Sequence, residues 1–145
     1  MSTTTHGPAT RPAVASAAWR GRRLWFGADA LVTGGNAVVY LAAAGPLADL
    51  LGGEASTWRG IGAFLLAYTA CVALYARSPR SAAAGWAIVV VNAVWALGSL
   101  EVAATGALDL DGLGRGWAVA QALVVAGFAV LQARVLRAGR ATLPA

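Results

Sequence analysis

Asp29, Thr33, Asn36 and Tyr40 lie inside one apolar stretch at offsets of four, seven and eleven residues. At 100° per residue a helix brings all four within an arc of about 60°. They form one polar stripe, and its chemistry is hydrogen bonding, with Asp29 as the titratable group. Other stretches carry similar faces. Tyr68 and Tyr75 stand seven apart with Cys71 nearby, Asn92 groups with Trp95 and Ser99, and Trp117 groups with Gln121, Phe128 and Gln132. Inside a bilayer, polar side chains turn from lipid toward a bundle interior or a cavity. The expected result is one central seam of Asp29, Thr33, Asn36, Tyr40, Tyr68, Tyr75, Asn92, Trp95, Ser99 and Gln121.

Two readings of that seam stay open. In one, the amides and hydroxyls join helices, at roughly 0.6–2 kcal/mol per hydrogen bond. In the other, the seam is a ligand or ion site near the midplane. A carboxylate at a helix centre costs ~2.5–3.5 kcal/mol on insertion scales, so Asp29 calls for a partner or a function. Tyr75, Gln132 or a flanking arginine would satisfy it structurally. Counting 1.5 Å per residue from the flanking arginines, Asn36 lies about 20 Å past Arg23 and Asn92 about 18 Å past Arg80. Both fall near the midplane. Asp29 lies only about 9 Å past Arg23, level with Tyr75 and Gln132.

The elements that must hold these faces follow from composition. The 145-residue chain is 59% hydrophobic and 12% charged, with a mean hydropathy of +0.65; soluble domains are about a quarter charged. Four apolar runs stand out, at 24–44, 58–76, 82–100 and 116–133. Each is about long enough to cross a ~30 Å hydrocarbon core as a helix. They lack the alternation of strands and are rich in alanine and leucine. The fold class is therefore all-α: a polytopic membrane protein with a left-handed four-helix transmembrane bundle over residues 24–138, crossing at ~20°. Residues 1–23 read as a disordered cytoplasmic tail, and 139–145 as a second cytoplasmic tail.

Charge placement gives the orientation. Arg11, Arg20, Arg22, Arg23, Arg77, Arg80, Arg134, Arg137 and Arg140 fall on one side, and Arg59 and Arg115 on the other. Asp49, Glu54, Asp109 and Asp111 lie in the two loops opposite the nine. The positive-inside rule then places both termini in the cytoplasm of a bacterial plasma membrane. So uneven a count argues against a dual-topology small multidrug transporter. A signal-peptide reading of Arg22-Arg23 and the run after it fails, because Asp29, Thr33 and Asn36 interrupt the core and three more spans follow.

Asn36-Ala37-Val38 recurs as Asn92-Ala93-Val94, each followed by an aromatic residue, an acidic glycine-containing loop and a returning run. This pattern allows two parallel helical hairpin repeats. The stretch from Asn92 through Trp95 and Ser99, the acidic-glycine loop, Gln121 and the C-terminal arginines resembles uncharacterised four-helix integral membrane proteins common in actinobacteria. So does 29–51, where Gly45-Pro46-Leu47 ends the span. The resemblance covers most of 24–137. It implies the fold and brings no catalytic residues.

Several functions are excluded. Cys71 has no partner cysteine, His6 is the single histidine and lysine is absent. Paired-cysteine redox chemistry, bis-histidine haem, histidine-rich metal sites and Schiff-base chemistry are thereby removed. No cofactor or metal is expected. The arginines sit beside apolar spans, so nucleic acid is not an expected partner. Asp109 and Asp111 read as solvated, Glu101 as interfacial, and Trp25, Trp58, Trp86 and Trp117 as interfacial anchors. Ala118, Ala122 and Ala126 read as a packing ridge, and Cys71 as apolar filling. The leading expectation is a non-enzymatic membrane protein that binds a lipid, a hydrophobic small molecule or a partner subunit through the seam. The alternative is a proton-coupled transporter or channel subunit with Asp29 exchanging the proton, as a homo-oligomer because four helices enclose little volume.

Overall fold

The computed structural model describes residues 11–140. Five helices follow one another: α1 (Arg11–Ala42), α2 (Ala44–Leu51), α3 (Ala55–Arg77), α4 (Ala82–Thr105) and α5 (Gly112–Arg140). Among the described residues there is no strand, only an isolated bridge between Gly52 and Leu110. α3, α4 and α5 are each long and apolar enough to cross a membrane, and α1 with α2 joins them if the bent pair counts as one span. The stripe of polar residues that marks α1 is also what lowers its hydropathy.

Several helices extend past the apolar runs that foretold them, α4 for example to Thr105 and α5 back to Gly112. The first helix begins at Arg11 and not at Leu24. Pro12 falls in its first turn, where a missing N–H is tolerated, and the alanines and arginines that follow are good helix formers. Of the expected N-terminal tail, residues 1–10 lie outside the described residues. α5 likewise runs on to Arg140, past the end of the apolar run at 133, and 141–145 lie outside the described residues.

The second difference is α2, where a loop was expected after Gly45-Pro46-Leu47. Pro46 clashes with the carbonyl four residues back, that of Ala42, so the helix cannot continue straight. Ala42 is the last residue of α1, and the chain turns through 93° into α2. Pro46 then occupies the first turn of the new helix. α2 buries Ala44 and Leu51 across the end of the bundle and leaves Asp49 and Leu50 exposed.

The acidic loops are tied to each other at this end. The Gly53 amide donates to the Asp109 carbonyl (3.1 Å) and the Asp111 amide to the Leu51 carbonyl (3.1 Å). Gly52 takes φ +78°, and a Cβ there would lie 2.6 Å from the Asp111 nitrogen. Asp111 caps α5, its Oδ1 accepting from the Gly114 amide at 2.8 Å; its carboxylate is a structural cap. Trp58, expected as an interfacial anchor, is buried and donates its indole N–H to the Gly52 carbonyl at 3.0 Å.

α1 packs closely on α3 and α4 on α5, and α1 also lies against α5. Gly62 allows the close approach of α3 to α1, since a Cβ there would meet Leu41 and Tyr40 within 2.9–3.1 Å. The two close pairs are those that the hairpin-repeat reading groups. α3 and α4, although joined by the short turn at Ser78–Ser81, make few contacts and leave a cleft between them. The exterior is largely apolar, and a few buried polar groups lie among the apolar core residues: Leu31 is 78% exposed and Leu123 68%, whereas Asp29 is 0% exposed.

Candidate functional site

The stripe on α1 faces inward. Asp29, Thr33 and Tyr40 are buried and Asn36 is half-buried. Two separate hydrogen-bonded clusters form along it. In the first, Asp29 Oδ2 accepts from Asn92 Nδ2 of α4 at 2.8 Å and from Gln132 Nε2 of α5 at 2.7 Å. Its Oδ1 accepts from Thr33 Oγ1, one turn along α1, at 3.0 Å. Asn92 Nδ2 also donates to Gln132 Oε1 at 3.1 Å, and Tyr68 of α3 donates to Asn92 Oδ1 at 3.0 Å. One carboxylate therefore joins α1, α4 and α5 directly, and α3 through Asn92.

The donor inventory is consistent throughout. Every contact to Asp29 comes from an N–H or O–H, and the Asn92 carbonyl faces the tyrosine hydroxyl while its NH₂ faces the two acceptors. No arginine takes part. Arg22, one of the flanking candidates, donates to the Pro79 carbonyl at 3.3 Å. Among the described residues no group of three or more metal-ligating side chains gathers here or elsewhere.

The second cluster lies toward the acidic-loop end. The Tyr40 hydroxyl accepts from Trp117 Nε1 at 2.6 Å and from Gln121 Nε2. The Tyr40 ring packs edge-on to Trp58 with centroids 5.0 Å apart. Trp117, expected as an anchor, instead reaches inward with its indole N–H.

Three expectations need correction. Asp29 and Asn92, set about 9 Å apart in depth by counting from arginines, are in direct contact. Arg80 lies in the turn beyond α3, whereas Arg23 sits within a helix that begins twelve residues earlier, so the two do not mark the same level. Tyr75 lies apart from the seam. It packs edge-on against Phe26 (4.6 Å) in the apolar core at the end carrying the termini, and its hydroxyl has no hydrogen-bond partner among the described residues. Ser99 bonds within its own helix, to the Trp95 carbonyl at 2.9 Å, and joins no neighbour.

Beside the network is the cleft between α3 and α4. Its inner part is a cavity of about 180 Å³ walled by Thr33, Asn36, Tyr68, Asn92, Trp95 and Phe128 among others. It continues into a wider groove of about 570 Å³ toward the acidic-loop end, with Phe64, Trp95, Trp117 and Gln121 lining both. Phe64 and Trp95 stack across the gap with centroids 5.5 Å apart and planes 8° from parallel. Asn36 lines the inner cavity and makes no side-chain hydrogen bond among the described residues. Asp29 is not on the wall; Asn92 stands in front of it.

Sequence reasoning left two residues out of the candidate seam. Gln132 was legible, because it shares a face with Gln121, but it was placed only as a structural partner of Asp29. Glu101 lies on the wall of the wider groove, although its angle of 180° from Asn92 pointed elsewhere. The groove is wide enough to meet a second face of α4. Asn36 and Asn92, equivalent in the repeat reading, differ: Asn92 completes the network, and Asn36 faces the cavity. No protein-family model, curated protein or solved structure matches the chain.

The network predicts an unequal response at position 29. In Asp29→Asn the amide oxygen accepts from Asn92 and Gln132 while its NH₂ donates to the Thr33 hydroxyl, so unfolding in detergent shifts by less than ~1 kcal/mol. Asp29→Leu leaves those donors unpaired and costs about 2 kcal/mol or more. Equal losses in the two variants would show that the hydrogen bonds do not hold the helices.

Proposed function

We propose that this chain is a small non-enzymatic integral membrane protein that holds a lipid tail or a hydrophobic small molecule in the cleft between α3 and α4. The cleft carries the reading. It is walled by aromatic and aliphatic side chains with a few polar groups, the usual make-up of a small-molecule site. Asn36 supplies an amide with no protein partner to orient a ligand's polar group. Its setting in a chain with an apolar exterior favours a ligand that arrives from the bilayer.

The membrane setting belongs to the same proposal: a four-helix bundle, four spans with α1 and α2 counted as one, in a bacterial plasma membrane. It is the kind of protein that residues 24–137 resemble in actinobacteria. Nine arginines stand at the end shared by the start of α1, the α3–α4 turn and the end of α5, and by the positive-inside rule this end is cytoplasmic. The competing reading, proton-coupled transport through Asp29, has less support. The carboxylate is fully buried, its donors come from three residues, and Asn92 separates it from the cleft. The cleft also makes a second copy unnecessary for enclosing a ligand, although a partner subunit covering it stays within the proposal.

Binding is tested with the protein in nanodiscs made of lipids brominated along their tails. Quenching of tryptophan fluorescence is expected in the wild type. It is expected to fall at least twofold in Trp95→Phe, which removes the indole at the centre of the cleft and keeps the stack with Phe64. Unchanged quenching in that variant would count against tail entry into the cleft. A fluorescent protein fused to either terminus is expected to mature and fluoresce, as it does only in the cytoplasm; a dark fusion at both ends would reverse the orientation.

A further inference from the structure

We infer that the wider groove takes a lipophilic organic cation, an amine, phosphonium or quaternary ammonium carried on an apolar body. This deepens the binding role proposed for the cleft and rests on it. Tyr40, Trp58, Phe64, Trp95 and Trp117 contribute aromatic side chains, and Glu101 is its one charged residue. Five aromatic residues within a single groove of about 570 Å³ suit a delocalised or quaternary cation, because a ring face attracts a positive charge within about 6 Å of its centroid.

Glu101 sets the sign of that preference. It is exposed, near the last turn of α4, and its carboxylate makes no hydrogen bond or ion pair among the described residues. Its neighbour Thr105 bonds to the Glu101 main-chain carbonyl and leaves the carboxylate free. The two arginines at this end, Arg59 and Arg115, are exposed and absent from the groove wall, and the Arg115 guanidinium lies against Gly106. Asp49 in α2, with Glu54, Asp109 and Asp111 in the loops, stands around the same end, so the local field also favours a cation. A fatty-acid carboxylate would meet Glu101 with like charge. A neutral hydrophobe would leave the carboxylate with no role.

Size and polarity fit the same class. A volume of this order accommodates a drug-sized molecule. The inner cavity beyond the Phe64–Trp95 stack would receive an apolar arm, with the Asn36 amide at its far side.

The test uses the full chain in nanodiscs and equilibrium dialysis against empty nanodiscs, with tetraphenylphosphonium as the cation and triphenylphosphine oxide as a neutral body of similar shape. Excess uptake of the phosphonium over empty discs is expected, together with at least tenfold weaker binding in Glu101→Gln. The neutral probe is expected to bind Glu101→Gln and wild type alike, which also shows that the variant is folded. Equal binding of both probes, with Glu101→Gln unchanged, would overturn the cation preference and leave the cleft as a binding site. No excess uptake of either probe would overturn both.

Discussion

A carboxylate removed from water has to find its hydrogen bonds inside the protein. Asp29 is fully buried with no ion pair among the described residues, and a buried carboxyl without hydrogen-bond partners is among the larger costs a structure can carry. It is met by three donors from three helical positions: Thr33 on its own helix, Asn92 on α4 and Gln132 on α5. Where the surroundings are hydrocarbon, apolar contact between helices gives little net drive for association, because lipid tails are as apolar as leucine. Polar contacts and close packing then set which helices meet. The network specifies that α1 faces both α4 and α5 at one level, and the close contact at Gly62 seats α3 on α1.

The cleft follows from what the network omits. α3 reaches the carboxylate only indirectly, through the Tyr68–Asn92 hydrogen bond, and otherwise belongs to α1. α4 belongs to α5. With the pairs joined through Asp29 and along α1–α5, the fourth seam of the bundle stays open. The stacked Phe64 and Trp95 span it without closing it. At the other end the tied loops and the α2 helix, which lies against both α3 and α5, connect the two pairs. The same features that stabilise the bundle therefore hold a gap of molecular size.

Much of this was legible in the chain. The stripe of Asp29, Thr33, Asn36 and Tyr40 was readable because a helix repeats at a fixed angle, and its inward direction because lipid excludes polar groups. The arginine asymmetry separated the two ends, and the structure places the nine on one of them. Depth was harder, since helix ends outside the apolar runs do not announce themselves: α1 starts in an alanine-arginine segment that composition marks as a tail. Tyr75 and Ser99 share helix faces with seam members, yet one sits at the level of Phe26 and the other bonds its own backbone. Angle alone does not give level or partner. Glu101 came to the groove because α3 and α4 stand apart, which no single-helix periodicity encodes.

The central claim is that Asp29 and Asn92 act as a pair. A double-mutant cycle with Asp29→Leu, Asn92→Leu and the double variant, read as unfolding free energy in detergent, addresses it directly. Removing both partners together should cost clearly less than the sum of the single losses, with a coupling of about 1 kcal/mol or more. Strictly additive losses would mean that the two residues are neighbours without interaction, and the account of how this bundle is held together would fail.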